Sequence, residues 1–294
     1  VRIELFCFLR DGDRAVLARN LAASPDVVAG RAPLHLIWNP TSAAAGCNAA
    51  LDAATGDVAV ILHADVYLPA GWVDRLAAAL GTLDADWAVA GCIGRDAAGA
   101  LAGRVHDVQL GRVIGSALDA PRRAAALDEC VLVLRRAAGL RVDPALPDFH
   151  FHGAELVLAS EARGMGAWVL DLPVVHNNKP YLSMPSGFAR AYRFVARKWP
   201  ARLPRPGMVA DLDARPWVLW GRLLRIRYRG TFRRSTINFR RLEDPGALAR
   251  RLGWEREPAF GKTGAALEAA QAGARRRGDA SAHRPQGGDG ARAA

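Results

Sequence analysis

The stretch VAVILHADVYLPAGW, residues 58–72, constrains the fold of this chain more than any other. From Val58 to His63 the residues are mostly apolar with no polar alternation, the pattern of a parallel strand buried on both faces. The run breaks on a lone acid, Asp65, and Pro69 then opens an amphipathic helix. Open α/β sheets bind ligands beyond the carboxyl ends of their strands, and an aspartate placed there can hold a divalent cation against a phosphate. The same residue type is also a common helix cap or turn former, so its neighbours decide.

Those neighbours alternate strand and helix. Strands are predicted near 2–8, 34–38, 58–63 and 87–93, with helices near 13–22, 42–54 and 70–80. Such alternation with short links predicts a parallel sheet flanked by helices. Residues 94–126, rich in Gly, Ala and Arg, read as a long loop or short irregular strands. Residues 127–136 return to a buried strand, 152–164 to a helix stopped by Gly164, 167–176 to a strand bent at a proline, and 186–199 to a helix ending before Pro200. At 294 residues the chain can bury a full core and carry an extension.

Charge divides the chain. Residues 1–200 hold 20 Lys and Arg against 20 Asp and Glu, so the net charge of +11 lies wholly in residues 201–294. Residues 215–242 contain nine arginines and no acid, with Trp217, Trp220 and Leu224 at helical spacing. That segment reads either as a surface for an anionic membrane or as a packed helix with a solvated arginine face; nucleic acid is the weaker fit. From 262 the chain loses core-forming residues and reads as a disordered tail. The N-terminus enters a strand directly, without a secretory pattern, and no apolar run reaches the length of a membrane span. The four cysteines form no CxxC pair and read as buried thiols, which favours a reducing cytosol and gives no zinc site.

Four segments place polar groups at the ends of apolar elements: His63-Ala64-Asp65; Asp128-Glu129; DFHFHGAEL at 148–156; and HNNK at 176–179. Carboxylates and imidazoles gathered on one sheet rim suit a hard or borderline cation carrying a diphosphate.

HADVYLPAGW resembles the HxDVYLPxGW signature of prokaryotic family-2-like glycosyltransferases. WNPTSAAAGCNAALDAATGDVAVI (38–61) resembles their nucleotide-binding stretch, and LPDFHFHGAEL their FH-x-YGxDL segment. HNNK with RKWPARLP (197–204) resembles their C-terminal histidine and K-W-x-x-x-LP pattern. The likeness runs in family order over about residues 1–205. It implies the GT-A type nucleotide-diphospho-sugar transferase fold: α/β, with a mostly parallel central sheet flanked by helices. The domains would then be 1–205 for the transferase, 206–261 for a basic Arg/Trp-rich helical extension and 262–294 for the tail.

The resemblance implies roles residue by residue. Asp65 would contact metal and diphosphate, and His176 would be a metal ligand for Mn2+ or Mg2+. His63 stands where many relatives carry an acid. Asn39, Ser42 and Asn48, with His63 and Asp65, would bind the nucleotide. Glu155 sits at the acidic position of FH-x-YGxDL, where Asp is expected, and would be the general base; the alternative is a first-turn acid favoured by the helix dipole. Asp128 and Glu129 would bind an acceptor hydroxyl, or else simply end a loop, and His150 and His152 would contact acceptor or phosphate. The implied activity is metal-dependent transfer of a sugar from a nucleoside-diphosphate sugar to a hydroxyl of a saccharide or lipid-linked acceptor, inverting, in cell-envelope or polysaccharide biosynthesis. The enzyme would be cytoplasmic or peripheral at the inner membrane face. A non-catalytic nucleotide-sugar or carbohydrate binding protein on the same fold is the main alternative, and a nucleotidyltransferase ranks below it for want of a glycine-rich phosphate loop after the first strand.

Overall fold

The computed structural model describes residues 1–179, 183–232 and 240–256. In chain order its strands are β1 (Ile3–Leu9), β2 (Leu34–Trp38), β3 (Val58–Leu62), β4 (Val66–Tyr67), β5 (Trp87–Gly91), β6 (Ile93–Arg95), β7 (Leu101–Asp107), β8 (Arg112–Ser116), β9 (Arg122–Arg123), β10 (Ala126–Leu127), β11 (Val131–Arg135), β12 (Gly166–Val169) and β13 (Val174–His176). Its helices are α1 (Arg14–Arg19), α2 (Pro25–Val28), α3 (Ala43–Ala53), α4 (Trp72–Leu80), α5 (His152–Ala162), α6 (Ser186–Lys198), α7 (Pro216–Phe232) and α8 (Pro245–Arg251).

The central sheet has the order β2-β1-β3-β11-β5-β12-β9. β1 pairs in parallel with β2 and β3, and β12 with β5. β11, inserted between β3 and β5, is antiparallel to both, and the edge strand β9 is antiparallel to β12. The remaining five strands share one direction, so the sheet is mostly parallel and flanked by helices, as the resemblance implies. All five residues of β3 are buried. Ala59 and Ile61 face a core shared with α3, α5 and α6, while Val58, Val60 and Leu62 face one shared with α1 and α4. Burial on both sides is why this strand reads as an unbroken apolar run.

Residues 93–127 form no long loop. They fold into short strands, the other expectation for this stretch: β6, β7, β8 and β10 join β4 and β13 in a second sheet ordered β10-β6-β7-β13-β4, with β8 on β7, while β9 edges the central sheet. The single bent strand expected at 167–176 is two strands in different sheets, β12 in the first and β13 in the second. Helix α4 begins at Trp72 rather than at Pro69. Its entry runs through Gly71 at φ +72°, a left-handed conformation that favours glycine. Asp26, almost wholly buried, accepts from Gly71 N and Val73 N at 2.9 and 2.8 Å and supplies the cap.

A buried ion pair joins the sheets. The Arg104 guanidinium on β7 donates to both oxygens of Asp171 at 2.8 and 2.7 Å, and Leu118 N donates to Asp171 at 3.2 Å. Residues beyond Pro200 pack onto this body. Leu212 and Leu219 enter the core under α5 and α6, while Leu248, Ala249 and Trp254 pack on Tyr67 and Val175. The tail expected at 262–294 lies outside the described residues.

Candidate metal and diphosphate site

Leu62 ends β3 at the rim of the sheet, and the chain turns through His63 to Asp65 before β4. Val66 N donates to His63 O at 3.2 Å and closes that turn. β4 pairs antiparallel with β13, with His176 opposite Val66, and Asn177 N donates to Asp65 O at 2.8 Å. This pairing sets His176 Nε2 3.3 Å from Asp65 Oδ1. The imidazole of His63 lies beside that of His176, with ring centroids 5.6 Å apart. One donor atom each from His63, Asp65 and His176 fall within 4.8 Å of one another. Two imidazole nitrogens and a carboxylate oxygen form a donor set that a borderline divalent ion such as Mn2+ accepts. The three residues therefore fit the implied cation.

The electrostatics are strongly coupled. Burial pushes His63 down to about 4, so it is neutral near pH 7 with a lone pair available. Burial would also lower His176, but the Asp65 carboxylate outweighs it through charge and hydrogen bond and raises it to about 9 with no ion present, so a cation taking its Nε2 would displace the proton held there. Burial would raise Asp65, yet His176, His63 and Arg241 together hold it well below the usual carboxylate range.

The antiparallel direction of β11 brings a second pair of acids to this rim. Val131 pairs with Leu62, and His63 N donates to Cys130 O at 3.1 Å, so Asp128 and Glu129 lie next to the end of β3. Asp128 Oδ1 accepts from Cys130 N at 2.9 Å. Glu129 Oε1 accepts from Gly153 N at 3.3 Å in the first turn of α5 and lies 3.2 Å from His152 Nδ1. A Cβ at position 153 would stand 2.9 Å from Leu127 O and 3.2 Å from Glu129 Cγ, so glycine allows this close approach. Burial raises the Glu129 carboxyl to about 7 and pushes His152 down to about 4. Burial also lowers His150, whose ring packs edge-on against Phe188.

The remaining expected residues stand elsewhere. Glu155, in the first turn of α5, is fully buried. One of its oxygens is held by Lys198 Nζ and the other accepts from Trp199 Nε1 at 2.7 Å. A base must reach the acceptor hydroxyl, and this carboxylate instead ties α5 to the end of α6. Asn48 clasps a backbone segment, donating to Val142 O at 2.8 Å and accepting from Val142 N at 3.1 Å. Ser42 caps α3 by accepting from Ala45 N at 3.1 Å. Asn39 is exposed at φ +49° just beyond β2 and donates to Asp11 Oδ1 at 3.3 Å. Of the expected nucleotide contacts on this stretch, Asn39 alone keeps its side chain on the open surface.

Two residues to which the sequence assigned no role complete the rim. Asn177, fully buried, donates to Asn20 Oδ1 at 2.8 Å and Leu242 O at 3.0 Å and accepts from Leu242 N at 2.8 Å. This clasp sets Arg241 against the cluster, with one guanidinium nitrogen 3.4 Å from Asp65 Oδ2. The signal for Arg241 was hidden in an arginine-rich stretch where nothing marks one arginine from another.

Residues 19–138 match the model of glycosyl transferase family 2. A protein of Fuscovulum blasticum described as "ATP synthase subunits region ORF 6" is 29% identical over 158 residues, which is 49% of this chain and 60% of that protein. The mannosyltransferase PcManGT from Pyrobaculum calidifontis, solved with GDP-Man and Mn2+, is 14% identical, with 92% of this chain and 79% of that one covered at a TM-score of 0.42. TarS 1–349 of S. aureus, solved with UDP-GlcNAc, is 12% identical, with 67% and 66% covered at a TM-score of 0.42.

Proposed function

We propose that the chain is a family-2-like glycosyltransferase of GT-A type, a reading supported by the match of residues 19–138 to the glycosyl transferase family 2 model, and that it transfers a sugar from a nucleoside-diphosphate sugar to a hydroxyl acceptor with the help of a divalent cation. The observation that carries this reading is the cluster of His63, Asp65 and His176 at the carboxyl end of β3, with Asp128 and Glu129 beside it. A bound cation there would supply positive charge to the leaving diphosphate, where most negative charge develops. Asp65, just before β4, and His176 on the paired β13 would hold it, and neutral His63 would offer a third donor.

The base is assigned to Glu129 rather than Glu155. A carboxyl raised to about 7 by burial is matched to taking a proton from a hydroxyl near neutral pH. Asp128 and His150 lie around it to orient the acceptor, and His152 packs behind it. A single displacement of this kind inverts the anomeric centre. Asn39 is the residue best placed to meet the nucleoside.

The exposed face of α7 supports a reading of the acceptor and place of action. Trp217, Trp220, Leu224, Tyr228 and Phe232 are each more than half exposed. At helical spacing they form one stripe, and Arg225, Arg227 and Arg229 flank it, all exposed. Interfacial aromatic residues with flanking arginines suit an anionic membrane face, and a lipid-linked acceptor in cell-envelope or polysaccharide synthesis fits that location. Among the described residues no helix is long and apolar enough to cross a membrane.

The reaction is tested by calorimetry with UDP and GDP in the presence of Mn2+, followed by donor hydrolysis assays over a panel of nucleotide sugars. Binding of one nucleotide only with metal is expected; no binding of either defeats the reading. Co-sedimentation with phosphatidylglycerol vesicles tests the membrane surface. Wild type is expected to pellet and the triple variant Trp217→Ser, Trp220→Ser, Leu224→Ser to stay in solution, and equal pelleting removes the surface.

A further inference from the structure

We infer that Arg241 is a diphosphate-binding residue of this site, so that the basic C-terminal segment completes the donor pocket. The inference rests on the glycosyltransferase reading and adds a residue outside the segments that carry the resemblance.

The argument begins with an incomplete ion pair. Arg241 touches Asp65 through one nitrogen at 3.4 Å, longer than a good charge-assisted hydrogen bond. Its Nε and its other terminal nitrogen are buried with no hydrogen-bond partner among the described residues. Burying charged donors without acceptors is costly. A guanidinium left in that condition beside a metal-type cluster is poised for an acceptor with several oxygens, and it pairs with phosphate through two parallel bonds.

The placement is built rather than incidental. Leu242, the next residue, is clasped through both its backbone N–H and C=O by the side chain of Asn177. Asn177 follows His176 directly and its own N–H is bonded to Asp65 O. Farther along, Glu255 accepts from the Tyr67 hydroxyl at 2.9 Å and from Ala70 N, fastening the same segment to the turn after β4. The segment is thereby anchored on both sides of Asp65, by Asn177 just after β13 and by Tyr67 and Ala70 in and after β4.

Charge balance points the same way. The cluster offers one carboxylate and two imidazoles. A dipositive ion on that set neutralises only part of the charge on a leaving diphosphate, and a fixed guanidinium supplies more at the same place. The guanidinium lies against Asp65; a cation on Asp65 would weaken that contact and leave its nitrogens free to take phosphate oxygens.

The test uses the full-length protein with UDP and GDP as probes. Calorimetry measures binding of each with Mn2+, and electron paramagnetic resonance measures Mn2+ alone, for wild type, Arg241→Gln and Arg241→Lys. Arg241→Gln is expected to weaken nucleotide binding by about tenfold or more while Mn2+ alone binds as well as before or more tightly, because a competing cation has left Asp65. Arg241→Lys is expected to recover part of the loss. Unchanged nucleotide affinity in Arg241→Gln overturns the assignment, and so does weakened binding of Mn2+ alone, which would make the arginine a support for Asp65. If wild type binds neither nucleotide, the glycosyltransferase reading falls as well.

Discussion

Asp65 and His176 meet because two very short strands, β4 and β13, pair antiparallel, which leaves His176 Nε2 3.3 Å from Asp65 Oδ1. Neither strand belongs to the central sheet. The cluster therefore stands where one sheet hands over to the other, and the second sheet has a direct part in the site.

Replacing Asp65 by Asn is expected to remove the carboxylate on which both His176 and Arg241 rest. Mn2+ affinity, followed by electron paramagnetic resonance, should fall by about tenfold or more, the equivalent of about 1.4 kcal/mol. His176→Ala should act in the same direction, whereas unchanged affinity in both variants would remove the cation from this place.

Glu129→Gln and Glu155→Gln separate base from brace. The first is expected to lower turnover by about a hundredfold or more with donor affinity retained. The second leaves Lys198 without its buried partner, so its main effect should be on thermal unfolding, with activity per folded molecule largely kept. The reverse pattern would return the base to Glu155.

Glu129 also gives a sign for stability against pH. Its folded-state value, raised to about 7 by burial, lies above the ordinary value of 4.5. The folded state therefore binds the proton more tightly, and this group's contribution to stability is lost as pH rises through about 7. Glu129→Gln removes that penalty. Its melting temperature relative to wild type should be higher at pH 8 than at pH 5, by a few degrees on the scale of about 2–4 °C per kcal/mol. Scanning calorimetry at the two pH values checks this, and an equal difference at both would show that Glu129 does not titrate in this range.

The Arg104–Asp171 pair predicts a coupled loss. Arg104→Met leaves a buried carboxylate unpaired and should cost about 3–5 kcal/mol in denaturant unfolding. Adding Asp171→Leu should recover a large part of it, since the pair then leaves together. Additive losses would show that the two residues do not act as a unit.

The apolar run of β3, the strand-helix alternation and the acid at the end of the run were legible in the sequence because each is local: a period, a composition, a break. The resemblance marked Asp65 and His176 for a metal and His63 for the nucleotide; that donor atoms of all three lie within 4.8 Å of one another comes from the pairing of β4 with β13. Glu155 was read from its position in a segment. Its burial against Lys198 and Trp199 depends on where the end of α6 packs, which no spacing within α5 records.

Asp128 and Glu129 show the division most plainly. Sequence marks them as acids beside a buried strand, but an acid before a strand reaches the rim at the end of β3 only if its strand runs antiparallel to β3. The direction of β11 is set by pairing with β3 and β5 across the sheet, a long-range property. Arg241 is the same case at greater distance: an arginine among nine, raised from surface charge to a site residue by the Asn177–Leu242 clasp. The sequence by itself determined the fold class and the lone carboxylate, because burial and periodicity are written locally. Only the tertiary structure decided which charged groups surround that carboxylate, because strand direction and packing across sheets bring together residues that the chain keeps apart.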